Sequence, residues 1–244
     1  MAGRCLCTML ADNWPHLLGT DAKSTRMSET DKRPQSPADI AADEGYFWGD
    51  TVSEVYFEPA ENSMDIQWTN IIAPLLQGLE YSTVIDLASG HGRNARRLAE
   101  RARVVYCVDI NPENIKILKQ RFAGDHRFVI VRNDGATLSF FEESSIDLLY
   151  CFDALVHFDL EIVQSYLKEG YRVLRTGGHA FIHCSNYTEN PGGHFSNNPH
   201  WRNFMSFELF SHLAIKAGFA IRRGKKIDWG DVPDLDCVFL LSKD

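Results

Sequence analysis

Long hydrophobic runs are missing from this 244-residue sequence. Nothing in it approaches the ~18 consecutive apolar residues of a membrane span, so no membrane role is expected. Positive charge is in deficit as well. With 25 Lys and Arg against 33 Asp and Glu, the formal net charge is −8, which speaks against nucleic acid or an anionic membrane as partner. Cysteine is sparse: Cys5, Cys7, Cys107, Cys151, Cys184 and Cys237 contain no pair at the two-residue spacing of a zinc knuckle or a thioredoxin-type motif. The last four sit in apolar runs, where cysteine behaves as a small buried hydrophobe, and this points to a reducing, cytoplasmic setting. A secretory signal is not evident either, because Asp12 interrupts the apolar stretch after Arg4 and no small-residue cleavage site follows. Internal repeats are absent.

What is present is an ordinary globular composition, 44% hydrophobic and 24% charged. Residues 19–44 are rich in Ser, Thr, Asp, Lys and Pro and lack a hydrophobic period, so residues 1–44 are expected to form a disordered tail, with Met27 as an alternative start. The domain is expected over 45–244. It opens with a cap segment, 45–81, carrying the aromatic clusters Tyr46-Phe47-Trp48 and Tyr56-Phe57 and a helical pattern (Ile66, Ile71, Ile72, Leu75, Leu76) that Pro74 should kink.

A regular alternation follows. Short apolar strands near 84–87, 104–108, 128–131, 146–152 and 179–184 are separated by amphipathic helices, among them one opened by Asn111-Pro112 and one opened by Ser206. Two last strands, near 219–223 and 237–241, are expected to be joined by a polar loop. Strands alternating with helices predict an α/β fold: a Rossmann-like, seven-stranded, mostly parallel sheet with an antiparallel C-terminal strand and helices on both faces.

The sharpest local feature is Val84-Ile85-Asp86-Leu87-Ala88-Ser89-Gly90-His91-Gly92-Arg93-Asn94-Ala95, which runs from strand through tight turn into helix. Ligands of open α/β sheets bind at that end of the strand. Asp109, seventeen residues after Gly92 at the end of the second strand, is placed to take two ribose hydroxyls. The spacing Gly90-x-Gly92-x-x-Ala95 also fits a dinucleotide fingerprint, but two charges oppose it. Asp86, at the mouth of the loop, would repel a pyrophosphate and suits an ammonium group. Asp134, just after the third strand, could accept from an adenine amine. Adenosine joined to a charged amino acid, without phosphate, describes S-adenosylmethionine.

On these residues the sequence resembles the class I S-adenosylmethionine-dependent methyltransferases. Asp86-Leu-Ala-Ser-Gly90-His-Gly92 is similar to the family's first motif, with Ala88 where its first glycine is usual. Asp109 resembles the ribose acid and Asp134 the adenine-side motif. Asp147–Asp153 (DLLYCFD) resembles the fourth-strand motif, and Leu174-Arg-Thr-Gly-Gly178 the turn before the fifth strand. The resemblance covers roughly 82–184, and 206–242 by pattern. It implies S-adenosylmethionine as cofactor and S-adenosylhomocysteine as product. The loop residues Asp86, Ala88, Ser89, Gly90, Gly92 and Asn94 should contact it, together with Asp109, Ile110, Asp134, Gly135 and Phe152.

Methyl transfer to a hydroxyl also needs a base, and histidine is the natural one. Asp153 and His157, beyond the fourth strand, should face the cleft, as in many small-molecule O-methyltransferases; the rival reading has His157 merely packing the next helix. His183 is a second candidate base. No ligand spacing makes a metal site. The loop 185–205, with Asn186, Tyr187, His194, His200 and Trp201, is expected to be a lid over the acceptor. Arg93, Arg96, Arg97, Arg101 and Arg103 fall at helical spacing and are read as a solvated face, not an RNA site.

The expected function is O-methylation of a hydroxylated small molecule, a sugar or a phenol. N-methylation of a small amine and a non-catalytic nucleotide-binding module stand as alternatives. A small-molecule acceptor is the expected partner, and the oligomeric state stays open, a homodimer included.

Overall fold

The computed structural model describes residues 36–47 and 50–244. Met27, Cys5, Cys7, Trp48 and most of the expected tail lie outside the described residues. The tail itself ends earlier than its composition suggests. Residues 37–44 belong to a helix, α1 (Pro37–Phe47), and are not disordered chain. Its start is a capping box: the Asp39 amide donates to Ser36 Oγ at 3.3 Å and the Ser36 amide to Asp39 Oδ2 at 3.0 Å, with Pro37 at the first helical position. Ala41 is buried against the body of the domain, and that packing outweighs the polar composition around it.

A second helix, α2 (Asp50–Gln67), contains Pro59 and runs into a π-helical turn (Trp68–Ile72) and then α3 (Ala73–Leu76). The kink expected at Pro74 takes this form for a simple reason. Pro74 has no N–H to continue the ladder, and the Ala73 amide instead reaches back five residues to the Trp68 carbonyl.

The rest is one seven-stranded sheet: β1 (Thr83–Leu87), β2 (Val104–Asp109), β3 (Phe128–Arg132), β4 (Ile146–Cys151), β5 (Leu174–Ser185), β6 (Ala220–Trp229) and β7 (Val232–Ser242) in the order β3-β2-β1-β4-β5-β7-β6. Only β7 runs against its neighbours, pairing antiparallel with both β5 and β6. Period-two alternation divides the core. Ile85, Leu87, Leu149 and Cys151 face one cluster, with α6 (Leu160–Val173) and α7 (Phe207–Lys216) packed on it. Val84, Leu148 and Tyr150 face another, covered by α3, α4 (Arg93–Leu98) and α5 (Pro112–Arg121).

The polar loop expected between the last two strands is instead part of them. Gly230, at φ +61°, and Asp231 make a tight hairpin turn, and the charged residues of 222–228 decorate an edge strand. A charged edge reads as a loop because its solvent face dominates the composition.

Strand order 2-1-4 in the middle of the sheet means that the chain reverses direction around β1, and the carboxyl ends of β1 and β4 open a crevice there. The turn into β5 is built tightly. A Cβ on Gly178 would lie 2.8 Å from the Arg175 carbonyl oxygen and 3.2 Å from those of Asp147 and Ile146, all backbone atoms that cannot swing aside. Gly178→Ala is therefore expected to cost about 1–3 kcal/mol. Thermal unfolding checks it against Gly124→Ala, which meets no atom within 4 Å and carries only the strain of φ +82°.

Candidate active site

The loop after β1 is shaped by three residues with left-handed backbone: Ala88 at φ +53°, Gly90 at +55° and Gly92 at +81°. Alanine thus takes the conformation that a glycine would hold without strain, at a cost of about 1–2 kcal/mol. The turn is stitched by Ser89 Oγ donating to the Asp86 carbonyl (2.6 Å) and by the Gly92 amide donating to the Ser89 carbonyl (2.9 Å). Glycine is also required for space, since a Cβ on Gly90 would fall 2.7 Å from Phe57 and one on Gly92 2.6 Å from Phe122.

Asp109 closes the loop from the side. Its Oδ2 accepts from the Gly90 amide at 2.8 Å, and its Oδ1 accepts from the Asn111 amide at 2.8 Å and from Asn114 Nδ2 at 3.2 Å. Burial pushes its pKa up, and these donors pull against that. Asp86 lies beneath the loop, on the α4 face of β1, 1% exposed. Its Oδ2 is buried with no hydrogen-bond partner, and burial lifts its pKa to about 7 against the pull of Arg93.

Beside the loop is a cleft whose empty space, open solvent at its mouth included, is about 950 Å³. Ala88, Ser89, Gly90 and Asn94 line its floor, Asp109 and Ile110 one side, and Asn133 and Gly135 the far end. Phe152, Asp153 and His157 form the other end. Its roof is the start of the chain: Ala41 and Gly45 of α1 and Tyr56, Phe57 and Glu61 of α2. Phe57 stacks on His91 with centroids 3.5 Å apart, and Arg121 ties the roof down by bonding Glu61 and the His91 carbonyl.

The other end is a buried charge network centred on Asp153, whose φ is +58°. Asp153 Oδ2 accepts from Tyr56 OH (2.6 Å) and Arg93 Nη2 (2.9 Å), and Oδ1 lies 3.6 Å from Arg202 Nη2. Burial alone would raise its pKa; Arg93 and Arg202 outweigh burial and hold it below the ordinary value. Tyr56 goes the other way, pushed up by burial and by the Asp153 charge. His157 Nδ1 stands 2.7 Å from the Trp201 carbonyl oxygen and must carry the proton that bond needs. Its Nε2 is then a lone-pair acceptor. Burial first, then Arg202, lowers its pKa to about 3, so the ring is neutral.

Most of the residues expected from the sequence converge here. Ala88, Ser89, Gly90, Asn94, Asp109, Ile110, Gly135, Phe152, Asp153 and His157 all line the cleft. Gly92 and Asp86 support it from below without lining it. Asp134 turns away: its carboxylate accepts from the Ala136 and Thr137 amides and Thr137 Oγ1, leaving Asn133 and Gly135 at the cleft wall. His183 does not reach the cleft. Its Nδ1 accepts from the Asp153 amide (3.1 Å) and its Nε2 pairs with Asp236 Oδ2 (2.9 Å), so neither nitrogen is left to take a proton.

Two readings are corrected. Arg93 is not on a solvated face; it is 8% exposed and also donates to the Ala60 carbonyl and Gln67. The 185–205 loop does not roof the cleft, because Phe195, Trp201, Arg202 and Met205 are buried behind it and none of its residues lines it. Tyr56, Arg202 and Asp236 were missed outright. The Tyr56-Phe57 pair was a signal, as an aromatic cluster in a polar stretch; a 34-residue gap between Arg202 and Asp236 offers none.

An adenosine with an amino-acid tail and no phosphate fits these residues. The wall carries the Asp109 carboxylate, and beneath the loop the Asp86 carboxylate keeps one oxygen without a hydrogen-bond partner. Among the described residues no group of three His, Cys, Asp or Glu is arranged to hold a metal, and no helix is long and apolar enough to cross a membrane.

Comparison with known proteins agrees with this geometry. Residues 85–182 match the family model described as a methyltransferase domain. A phosphoethanolamine N-methyltransferase of Plasmodium falciparum (isolate 3D7) is 28% identical over 114 residues, 46% of this chain and 42% of that protein. The chain spans about half the length of the curated relatives it matches. Among solved structures, an S-adenosylmethionine-dependent methyltransferase of Mesorhizobium loti superposes with a TM-score of 0.60 at 16% identity, covering 74% of this chain and 100% of that one. One from Leishmania major gives 0.65 at 14% identity, covering 84% and 83%. The sheet topology is that of the Rossmann-like methyltransferase fold and residues 85–182 match a methyltransferase domain, so on both counts the chain is similar to the class I S-adenosylmethionine-dependent methyltransferases.

Proposed function

We propose that the protein methylates a hydroxyl of a small molecule, and that this hydroxyl is an acidic one, a phenol in preference to a sugar. The observation that carries the reading is the roofed cleft running from Asp109 to a neutral His157. S-adenosylmethionine, when bound, supplies an electrophilic methyl group on a sulfonium. The chain does the rest. Asp109 takes the ribose hydroxyls, Asp86 sets a negative charge beneath the loop for the ammonium, Ile110 and Gly135 take the flat face and edge of the adenine, and Phe152 the region near the acceptor. Asp134 acts through its turn, fixing Asn133 and Gly135. The α1–α2 roof excludes water, which strengthens every charge interaction beneath it.

The acceptor class follows from His157. A ring that burial keeps neutral can accept a hydrogen bond and orient a hydroxyl, and it serves best an acceptor whose hydroxyl needs little help to lose its proton. A phenol, which gives up its proton far more easily, suits it; a sugar hydroxyl does not. The roofed cleft suits a small acceptor over a macromolecule. A second reading, N-methylation of a small amine, is favoured by the similarity to the Plasmodium protein named for that reaction.

In calorimetry, S-adenosylmethionine and S-adenosylhomocysteine should bind and NAD should not. Asp109→Ala is expected to lose about 2–4 kcal/mol of that affinity, as charged hydrogen bonds go. His157→Ala should keep donor affinity and lose turnover, with acceptors found by transferring labelled methyl to fractions of a cell extract; unimpaired turnover in this variant removes His157 from the site. Transfer to amines but not phenols selects the second reading.

Asp86 makes donor binding depend on pH. Free Asp86 holds its proton below about pH 7, whereas an ammonium beside it favours the ionised form. Binding therefore releases a proton as pH falls below 7, and affinity should drop by up to about tenfold per pH unit there while staying flat above pH 8. Calorimetry with S-adenosylhomocysteine in buffers of different ionisation enthalpy measures this directly. Asp86→Asn should abolish the dependence, and a flat profile in the native protein from pH 5.5 to 8.5 counts against the contact.

A further inference from the structure

Behind the cleft, four side chains from four separate segments close a ring. The Asp153 amide donates to His183 Nδ1 at 3.1 Å, and His183 Nε2 donates to Asp236 Oδ2 at 2.9 Å. Asp236 accepts from Arg202, through Nε at 2.9 Å and Nη2 at 2.6 Å. Arg202 Nη2 then returns to Asp153 Oδ1 at 3.6 Å. All four residues are buried, Asp153 at 8% exposure and the other three at 2% or less. Trp229 closes over the ring, 4.9 Å from both the Arg202 guanidinium and the His183 imidazole.

We propose that His183, Asp236 and Arg202 are positioning residues that hold Asp153 in its left-handed backbone conformation and so aim its carboxylate into the acceptor end of the cleft. The proposal rests on the methyltransferase reading above. A non-glycine residue at φ +58° persists only when its surroundings over-determine it. Here its backbone N–H is clamped by one member of the ring and its carboxylate by another. His183 must be the Nε2–H tautomer, because its Nδ1 faces a donor and its Nε2 faces a carboxylate. Asp236 fixes that tautomer, and Arg202 fixes Asp236.

The same segment of chain braces the neighbouring residues. The Asn203 amide donates to the Val156 carbonyl at 2.8 Å, Asn203 Nδ2 to the His157 carbonyl at 3.2 Å, and Trp201 supplies the carbonyl for His157 Nδ1. Residues 201–203 thus act on Asp153, Val156 and His157 from behind, as a backing plate to the acceptor end.

Two isosteric variants separate positioning from plain structural support. His183→Asn keeps an acceptor near the Nδ1 position but loses the link to Asp236; His183→Gln keeps a donor toward Asp236 but leaves the Asp153 N–H unbonded. The assay is transfer of labelled methyl from S-adenosylmethionine to the small-molecule fraction of a cell extract, alongside S-adenosylhomocysteine affinity by calorimetry. His183→Gln is expected to lose about tenfold or more in transfer, as misplacement of a reacting-site group does, with affinity within about twofold. His183→Asn should retain at least about a third of the transfer. Equal losses in both variants, or losses that track S-adenosylhomocysteine affinity, overturn the proposal.

Absence of any transfer by the native protein that still binds S-adenosylhomocysteine overturns the small-acceptor reading, and the proposal with it. A measurement on the native protein covers the case where a variant does not fold. In ¹⁵N-histidine spectra His183 should be protonated at Nε2 and bare at Nδ1, and a neutral ring with its proton on Nδ1 overturns the ring of bonds.

Discussion

Arg93 and Asp153 meet inside the protein at 2.9 Å, and neither could be there without the other. An unpaired guanidinium or carboxylate at this depth would pay several kcal/mol in lost hydration. Arg93 comes from the first turn of the helix after the glycine loop, so its position is inherited from the loop. Asp153 comes from the end of β4, the strand beside β1. The pair therefore locks the donor loop to the acceptor strand at the topological switch point of the sheet. The roof hangs on the same pair, because Arg93 also bonds the Ala60 carbonyl and Gln67, while Asp153 receives Tyr56. Cleft floor, cleft end and roof share one ionic centre.

Charge balance explains why the centre can be so deep. Arg93 and Arg202 offset Asp153 and Asp236, and His183 bonds the Asp153 amide on one side and Asp236 on the other. A buried ion pair of this kind adds little net stability compared with apolar packing, since desolvation offsets most of the attraction. What it supplies is direction. Apolar side chains of the same volume would fill the space but would leave the φ of Asp153 and the tautomers of His157 and His183 undetermined. The core around it can take up the stabilising role: Phe181, Phe210, Phe239 and Tyr150 are fully buried, each contributing roughly 1.5–3 kcal/mol by burial.

The parts of the molecule legible in the sequence are those governed by local rules. Short apolar runs between amphipathic helices identified five parallel strands, Asn111 and Ser206 announced two of the helices, and the glycine spacing located the loop. Ala88 was conspicuous as a departure, and its positive φ shows that the backbone demand persists when the glycine does not. The parts that were illegible depend on tertiary placement. Arg93 reads as one more arginine in a basic helix because nothing local says that its turn is inward. Residues 37–44 read as tail because their composition is polar, although Ser36 and Asp39 form a capping box and Ala41 supplies the small residue that lets α1 approach Gly135, where a Cβ would sit 2.7 Å from the alanine methyl. The long loop read as a lid because loops beside β5 carry polar and aromatic residues for either purpose; burial alone distinguishes a cover from a backing plate.

That distinction bears on how the cleft opens. The cleft is partly open, and the cost of widening it by moving each neighbouring element can be compared from its bonds. The 195–205 segment is anchored by buried Arg202, Asn203 and Trp201, and displacing it would expose a charge network and break the ring on Asp153. The α1–α2 roof is held by Ala41 and Phe57 contacts, by the half-exposed Glu61–Arg121 pair, by one buried hydroxyl at Tyr56 and, past Pro59, by Arg93 on the Ala60 carbonyl and Gln67. Exposed ion pairs contribute about 0–1 kcal/mol each, whereas a buried charge left unpaired costs several. The part of the roof before Pro59 is the cheaper element to lift, because Arg93 holds Ala60 and Gln67 beyond it and Pro59 removes one hydrogen bond from the middle of α2. Access through the amino-terminal helices then leaves the acceptor end rigid while the donor end opens, and the order of stiffness in the site follows from which of its charges are buried.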